Sequence, residues 1–468
     1  MTHNQPHYSS QGRYSDSEES GGSGRIALGV AVCVMVLALV AMIWLLQSAV
    51  SPDAHVTPAK TTWDTPTPSV TPAQTPTPVV IPQSKVQLTQ VCGNGLDTFT
   101  DVALTGSGNI IVVGTSQSTD EDYAPYLNDW DYQGTYDTLL IFDSQRRLVS
   151  ITPSQDTQYF SLDSAPDGTV VVAGQTSSNG VPSPYIARLN PDGKKTWEHT
   201  TFTEAEGLRF TVVAAGPDGG FTALAASSVP GKSNQLIKFG KNGAQEWATP
   251  LPTDAFYLTD MDIAPDNSIY VVGSEPGDSE NAPTNAMVVK VRKDGFVDGI
   301  ETYGKSLGTV VTGVKAFNEG AYLSGLTPSE EEPSTQDGFL AEINTQGEIV
   351  WGEFYGGNGR DALLSLDLTG DGLVAVGYSA SLDGDFPSPH GIESGPTDAA
   401  IEDALIAEFS KKGEVRWFEV IGGTSTEIMH KVLRTPTGIL AIGSLGSTDG
   451  SLPTACGDSD GVLAYVEP

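Results

Sequence analysis

The feature that most constrains this fold is a unit of about 50 residues that recurs from residue 85 to residue 468. One clear copy, residues 343–379, has an apolar segment, a break at Gly356-Gly357, a second segment, a turn at 370–372 and a third segment. The third segment of every copy carries a small residue at one place: Gly114, Gly174, Ala225, Gly273, Gly325, Gly377 and Gly443. Periods of this length without helical spacing predict the blades of a β-propeller.

Each copy also contains turn signals rich in Gly, Asn and Asp, which supply the positive φ that tight hairpins require. One turn precedes the recurring small residue, as at 166–168. Another, as at 191–193, is followed by tryptophan in four copies: Trp197, Trp247, Trp351 and Trp417. Each copy therefore reads as four short antiparallel strands, A to D, with tight A–B and C–D turns and a longer B–C loop. Seven copies predict an all-β, seven-bladed β-propeller over residues 85–468.

This pattern resembles the bacterial β-propeller repeat family of membrane-anchored envelope and surface proteins, and the resemblance covers residues 85–468. It implies the propeller fold and an envelope location, and it specifies no ligand. The hairpin from Asn190 to Trp197 also resembles the blade motif of quinoprotein dehydrogenases, where the tryptophan docks one blade on the next. A quinoprotein-like dehydrogenase is therefore one alternative.

The two ends of the repeat region predict how the ring closes. The seventh copy ends after strand C, and residues 86–93 match the place of a strand D before the first strand A. The N-terminal strand should therefore complete the last blade and remove its open edge. Cys92 ends that strand and Cys456 lies in the last B–C loop, on the same face. We expect a Cys92–Cys456 disulfide, with two unpaired thiols as the alternative.

The segment before the repeats predicts an anchored chain. Residues 1–25 are polar and predict a disordered cytoplasmic tail. Residues 26–46 are uncharged and apolar, long enough for one transmembrane helix, with a cleaved signal peptide as the alternative. Arg25 precedes this span and no Lys or Arg follows until Lys60, which favours a cytoplasmic N-terminus and an extracellular propeller. Residues 47–84 read as a Thr/Pro-rich linker.

Charge limits the partners. The net charge of -34 argues against nucleic acid, because phosphates repel an acidic surface. Acidic residues crowd the stretches 275–280, 329–332 and 381–385, where carboxylates could bind Ca²⁺, but none of these loops has a full ligand set, which favours solvated acid instead. We predict no cofactor.

Several motifs that suggest catalysis lack the setting they need. Residues 299–306 match the phosphate-binding loop G-x-x-x-x-G-K-[ST], but they fall on a strand D and its following loop rather than before a helix. Two G-x-S-x-G matches, at 304–308 and 457–461, also fall in loops between strands. We predict no catalytic residue. An extracellular polysaccharide lyase or glycosidase stays as an alternative, and it would need paired carboxylates in the central channel.

The first B–C loop is the candidate binding site. It interleaves aromatic and acidic side chains, and the candidates are Tyr123, Tyr126, Asp129, Trp130, Asp131, Tyr132 and Tyr136. Flat rings pack on sugars or protein side chains while carboxylates accept hydrogen bonds. The alternative is that the rings pin a long loop onto the propeller. The predicted function is a membrane-anchored extracellular module that binds an envelope or host glycan or a protein.

Overall fold

The computed structural model describes residues 86–127, 134–178, 181–200, 208–227, 233–251, 257–275, 285–303, 308–328, 335–388, 401–450 and 456–467. In this part of the chain, β-strands form seven antiparallel sheets of four strands each. One short 3₁₀ turn, Ala124–Tyr126, lies in the first B–C loop. The predicted all-β, seven-bladed propeller is confirmed.

The strands follow the predicted A-to-D order in each blade. The strand β1 (Val86–Val91) comes first. Blade 1 comprises β2 (Thr98–Leu104), β3 (Ile110–Ser116), β4 (Tyr136–Phe142) and β5 (Leu148–Ser154). Blade 2 comprises β6 (Thr157–Ser164), β7 (Val170–Ser178), β8 (Val181–Leu189) and β9 (Lys195–His199). Blade 3 comprises β10 (Leu208–Ala215), β11 (Phe221–Ser227), β12 (Gln235–Phe239) and β13 (Gln245–Pro250).

The remaining blades repeat the pattern. Blade 4 comprises β14 (Tyr257–Ile263), β15 (Ile269–Glu275), β16 (Asn285–Val291) and β17 (Val297–Tyr303). Blade 5 comprises β18 (Val310–Phe317), β19 (Gly320–Pro328), β20 (Gln336–Asn344) and β21 (Ile349–Tyr355). Blade 6 comprises β22 (Asp361–Leu368), β23 (Gly372–Ser379), β24 (Asp403–Ser410) and β25 (Val415–Ile421). Blade 7 comprises β26 (Glu427–Thr435), β27 (Gly438–Leu445), β28 (Asp460–Val466) and, as its outer strand, β1.

The ring closes as the sequence predicts. The strand β1 pairs antiparallel with β28, from Val86 opposite Val466 to Val91 opposite Gly461. The inner strands of successive blades contact one another, and β26 contacts β2 to complete the circle. Cys92 and Cys456 form a disulfide with their Cα atoms 5.2 Å apart. Hydrogen bonding and a covalent bond therefore hold the ends of the ring together.

A β-bulge explains the recurring glycine. The inner strand of every blade skips one residue in its pairing with strand B, at Thr100, Phe160, Thr211, Thr259, Thr312, Leu364 and His430. A Cβ on Gly114 would lie 2.0 Å from the carbonyl oxygen of Thr98, and one on Gly377 would lie 2.0 Å from that of Ala362. The bulge brings these backbones too close for a side chain. Blade 3 keeps Ala225 at the equivalent place.

The tryptophans dock neighbouring blades. A Cβ on Gly413, in the C–D turn of blade 6, would lie 2.9 Å from the ring of Trp351 in blade 5. The same relation joins Gly295 of blade 4 to Trp247 of blade 3, again at 2.9 Å. The ring of one blade thus covers the turn of the next. This contact removes apolar surface of both blades from water, and the hydrophobic effect therefore stabilises it.

The segments predicted before the propeller lie outside the described residues. These are the tail (1–25), the transmembrane helix (26–46) and the linker (47–84). Where the chain is described, from residue 86 onward, no helix has the length and apolar character needed to cross a bilayer.

Candidate functional site

The two faces of the propeller differ in what they carry. We call the face with the B–C and D–A loops the loop face, and the one with the A–B and C–D turns the turn face. The strand β1 runs toward the loop face, because Val91 pairs with Gly461, just after the last B–C loop, and Val86 pairs with Val466. The chain before Val86 therefore joins the propeller at the turn face, opposite the first B–C loop.

The first B–C loop places its candidate residues in different surroundings. Tyr123 and Tyr136 are 0% and 1% exposed and pack in the apolar core between blades 7 and 1. The Tyr136 hydroxyl donates to the backbone oxygen of Ser118. Tyr126 is partly exposed, and its hydroxyl donates to the Val149 carbonyl at 3.2 Å. The buried rings of Tyr123 and Tyr136 anchor the loop and are not accessible to a ligand.

The other candidates in this loop are Asp129, Trp130, Asp131 and Tyr132, and they lie outside the described residues. The described residues on either side of them are Leu127 and Gly134, and Leu127 is buried. A ligand-binding role for this stretch stays a prediction.

The first B–C loop is fastened to the point where the ring closes. The backbone N–H of Cys92 donates to Asp122 Oδ2 at 2.8 Å, and the N–H of Asp122 donates to the Cys92 carbonyl at 3.1 Å. The N–H of Asn94 donates to Asp120 Oδ1 at 2.8 Å. Because Cys92 is also bonded to Cys456, the base of this loop is held by hydrogen bonds and by the disulfide.

The same fastening recurs in blades 6 and 7, and we call it the loop clamp. In each case a B–C serine oxygen and a B–C aspartate accept two successive backbone N–H groups of the D–A loop. The three copies use Ser118 with Asp120, Ser381 with Asp383, and Ser447 with Asp449. The acceptor distances run from 2.7 to 2.9 Å. The B–C and D–A loops of blades 1, 6 and 7 are therefore tied together.

The loop clamp has a sequence signal that sequence reasoning missed. Ser-x-Asp occurs at 118–120, 381–383 and 447–449, and the residue after each aspartate has positive φ: Glu121, Gly384 and Gly450. The acidic stretch 381–385 was considered for Ca²⁺, but Asp383 and Asp385 accept backbone N–H groups of Asn358 and Gly356. Within the described ranges, no three His, Cys, Asp or Glu side chains are grouped to hold a metal ion.

Beneath the clamps lies a second repeated feature, which we call an acidic seam. Each seam pairs a carboxylate near the start of strand C in one blade with a carboxylate at the start of strand A in the next. The three seams are Asp337 with Asp361, Asp403 with Glu427, and Asp460 with Asp97, at the blade junctions 5/6, 6/7 and 7/1. At the other junctions whose equivalent residues are described, no two acids are paired in this way. The equivalent pairs are Tyr136 with Thr157, Ser183 with Leu208, and Asn285 with Thr309. At the junction 1/2 a single buried acid, Asp137, accepts the backbone N–H of Tyr159 at 3.1 Å.

The seam carboxylates are buried and hydrogen-bonded to the clamps. Ser118 Oγ donates to Asp97 Oδ2 at 2.8 Å, and Ser381 Oγ donates to Asp361 Oδ2 at 2.6 Å. Burial raises the pKa of Asp97 to about 6 and that of Asp361 to about 6, and the opposite carboxylate adds to each increase. Desolvation disfavours the ionised form more than the serine hydrogen bonds favour it.

The bulge residues of all seven blades line one common cavity at the centre of the ring. The cavity at their level has a volume of about 160 Å³ and is lined by the bulge residues with Asp101 and Lys431 among their neighbours. A second cavity of about 380 Å³ lies next to it and is lined by Asp163, Asp262, Lys315 and Asp367 among others. The Lys315 Nζ atom lies 3.3 Å from Asp367 and 3.6 Å from Asp262.

The channel carboxylates connect neighbouring blades. Asp163 accepts the backbone N–H of Ala215 at 2.7 Å, and Asp367 accepts that of Arg434 at 2.7 Å. Each bond joins the inner strand of one blade to the inner strand of the next. The carboxylates of Asp262 and Asp367 raise the pKa of Lys315, so this lysine is charged. The channel side chains thus form an ion-paired lining that binds the blades to one another.

Comparisons with known proteins give one short family match and several distant structural likenesses. Residues 165–195 match a family model described as a domain of unknown function (DUF5122) beta-propeller. Among solved structures, a protein of unknown function from Dyadobacter fermentans is 11% identical, with a TM-score of 0.43, over 82% of this chain and 100% of that chain. The β-propeller domain of the Trilobed protease from Pyrococcus furiosus is 10% identical, with a TM-score of 0.44, over 80% of this chain and 94% of that chain. A search of curated proteins gives no match.

Proposed function

We propose that this chain is a membrane-anchored extracellular β-propeller whose first B–C loop binds a glycan or a protein at the cell envelope. The observation that carries the proposal is the fastening of this loop. Buried Tyr123 and Tyr136 anchor it, and Asp120 and Asp122 join its base to the residues around Cys92. Loops on a rigid scaffold are the usual place for binding residues, because little ordering is lost when the partner binds.

The point of attachment supports this role. The chain enters the propeller at the turn face, and the first B–C loop is on the loop face. A tether that starts at residue 84 and leads back to an anchor at 26–46 would leave the loop face free to meet a partner. The stretch 129–132 supplies Trp130 and Tyr132 between Asp129 and Asp131, a composition that suits a sugar or a protein side chain.

Binding is favoured over hydrolysis by the state of the channel. A glycosidase needs a carboxylic acid and a carboxylate that are free to act on substrate. Asp163 and Asp367 accept backbone N–H groups from the next blade, and Asp262 accepts that of Ala316 at 2.9 Å. Lys315 further ties Asp262 to Asp367. These carboxylates are used in joining blades, so we propose a binding protein.

The test uses the full chain reconstituted in nanodiscs and a panel of purified cell-wall and host glycans together with extracellular envelope proteins. For the ligand found, Trp130→Ala should weaken binding by about tenfold or more, since aromatic anchors in interfaces contribute about 2 kcal/mol or more. The thermal midpoint of unfolding should stay unchanged, because Trp130 lies in the loop stretch between the buried anchors.

A matched control is Tyr257→Ala, which removes an aromatic side chain that is 59% exposed at the start of β14 on the same face. Binding by this variant should equal that of the unchanged chain. The proposal fails if no member of the panel binds, or if Trp130→Ala and Tyr257→Ala bind as tightly as the unchanged chain.

A further inference from the structure

The seams 5/6 and 6/7 each place two carboxylates against one glycine. A Cβ on Gly356 would lie 2.2 Å from Asp337 Oδ1 and 3.0 Å from Asp361 Oδ2. At the junction 6/7, a Cβ on Gly422 would lie 1.9 Å from Asp403 Oδ1 and 2.7 Å from Glu427 Oε2. At 7/1, a Cβ on Gly93 would lie 3.0 Å from Asp97 Oδ2, and the N–H of Gly93 points at Asp460 Oδ1. The two acids of a seam therefore approach the same small volume from adjacent blades. Like charges brought together in this way repel unless something positive is added.

The seam carboxylates Asp97 and Asp361 each contain a buried oxygen without a donor in the described part of the chain. Asp97 and Asp361 are 0% and 1% exposed, and the Oδ1 atom of each has no hydrogen-bond partner among the described residues. A buried unpaired carboxylate oxygen costs free energy. At the seam 6/7, Glu427 accepts the N–H groups of Gly423, Gly446 and Ser447.

The charged groups around these two seams are nearly all acidic. Around Asp361 they are Asp337 on β20, Asp383 and Asp385 in the B–C loop, and the pair of Arg360 with Glu402. Tyr378 on β23 also faces this group. Around Asp97 they are Asp460 on β28, Tyr123 in the B–C loop, and Tyr136 on β4. Arg360 is the one base in these two sets, and it is already paired with Glu402.

The neighbouring backbone groups are unsuited to a metal ion. The N–H of Gly93 points at Asp460 Oδ1 at 3.3 Å, and the N–H of Cys456 donates to Asp460 Oδ2 at 3.0 Å. Calcium prefers six to eight oxygen ligands, and these N–H donors occupy lone pairs of Asp460 that it would need. A proton needs one lone pair and little space.

We propose that the acidic seams at the junctions 5/6 and 7/1 each hold a proton at mildly acidic pH, so that the fit of blades 5, 6, 7 and 1 is proton-linked. The proton neutralises one carboxylate of a seam and so removes the repulsion between the two. Loss of the proton leaves two anions facing each other beneath the loop clamps. A rise in pH therefore weakens the packing between blades 5 and 6 and between blades 7 and 1 at the loop face.

The sign of the effect follows from the direction of the shift. The folded-state pKa values of Asp97 and Asp361 are raised to about 6 from 3.8, so the folded chain binds these protons more tightly than the unfolded chain. The stabilisation is fully present below pH 3.8 and is lost as pH rises through about 6. Each such proton changes the unfolding constant by up to about tenfold per pH unit within this window.

The experiment compares the full chain with Asp361→Asn and Asp97→Asn. Asparagine keeps the shape of the protonated acid and cannot ionise. We expect the unfolding constant, measured by denaturant between about pH 4 and pH 7, to depend less on pH in each variant, by up to about one proton. Near pH 7 both variants should be more stable than the unchanged chain.

The control is Asp371→Asn. The Asp371 carboxylate is exposed and accepts a hydrogen bond from Arg416, and this arginine lowers the pKa of Asp371. This change should leave the slope above about pH 5 unaltered, because the carboxylate is already ionised there. As a second readout, ¹³C spectra of the side-chain carboxyls should show signals that titrate near pH 6 and vanish in the asparagine variants.

Two results would overturn the proposal. One is a pair of findings: the pH dependence of the unfolding constant is the same in both asparagine variants as in the unchanged chain, and no carboxyl signal that titrates near pH 6 disappears in these variants. The other is stabilisation of the unchanged chain by millimolar calcium near neutral pH that disappears in Asp361→Asn, which would make the seam a cation site. Neither test depends on the ligand of the first B–C loop, so the proposed binding function stands or fails separately.

Discussion

The junctions on one side of the ring differ from those on the other, although the strands are the same. At the junctions 5/6, 6/7 and 7/1, one carboxylate from each of the two blades lies beneath a Gly-containing loop. Loop clamps tie the B–C loops of blades 6, 7 and 1 to the neighbouring D–A loops. At 4/5, the equivalent residues are Asn285 and Thr309, and Thr309 contacts Thr327 through hydroxyl groups at 3.1 Å. All seven copies of the repeat thus form the same four-stranded blade, while the paired acids lie at three neighbouring junctions in one sector of the loop face. That sector contains the first B–C loop.

The largest expected difference between the two kinds of junction concerns Glu427. Glu427→Ala leaves the N–H groups of Gly423 and Ser447 without an acceptor, and the N–H of Gly446 keeps only the Thr426 carbonyl. Each buried donor left unpaired costs about 1–3 kcal/mol, so we expect a loss of about 3–5 kcal/mol in the free energy of unfolding near neutral pH. Denaturant titration followed by tryptophan fluorescence measures it.

The matched change at a neutral junction is Thr309→Val, which removes one hydroxyl contact with Thr327. This should cost about 1 kcal/mol. Equal losses in the two variants would remove the distinction between the acidic seams and the neutral junctions.

A smaller effect is expected where the seam demands a glycine. In Gly356→Ala the new methyl group meets Asp337 and Asp361, and relieving that contact should cost about 1–3 kcal/mol. Gly299→Ala is the control, because a Cβ there has nothing within 4 Å. Its thermal midpoint should be unchanged or slightly raised, since glycine weakens a strand. If Gly356→Ala unfolds at the same temperature as Gly299→Ala, the close approach at the seam is wrong.

The sequence predicted most of the fold because its signals were local and repeated. The turn glycines, Trp351 and its equivalents, and the match of residues 86–93 to a strand D are visible as letters at fixed places. They led correctly to seven blades, to closure by β1 and to the Cys92–Cys456 disulfide. The recurring glycine was also visible, but its cause, the bulge opposite it, is a property of the paired backbone.

The candidate site was harder to predict for two physical reasons. A tyrosine in a loop reads the same whether it faces solvent or the core, and Tyr123 and Tyr136 turned out to be core residues. The acidic seams join residues far apart in the chain, such as Asp97 and Asp460, and only the closed ring brings such pairs together. The Ser-x-Asp clamps could have been found from the sequence by aligning the B–C loops of blades 1, 6 and 7.

Hydrogen–deuterium exchange on the full chain tests most directly whether the loop face of blades 6, 7 and 1 is a rigid platform. The amides to follow are those of Asn94, Asn358 and Thr424, each donated to a clamp aspartate. If the clamps hold, these amides should exchange at least about 100-fold more slowly than in an unstructured peptide. Exchange at the unstructured rate in all three would contradict a rigid platform and, with it, the reason for placing the binding site there.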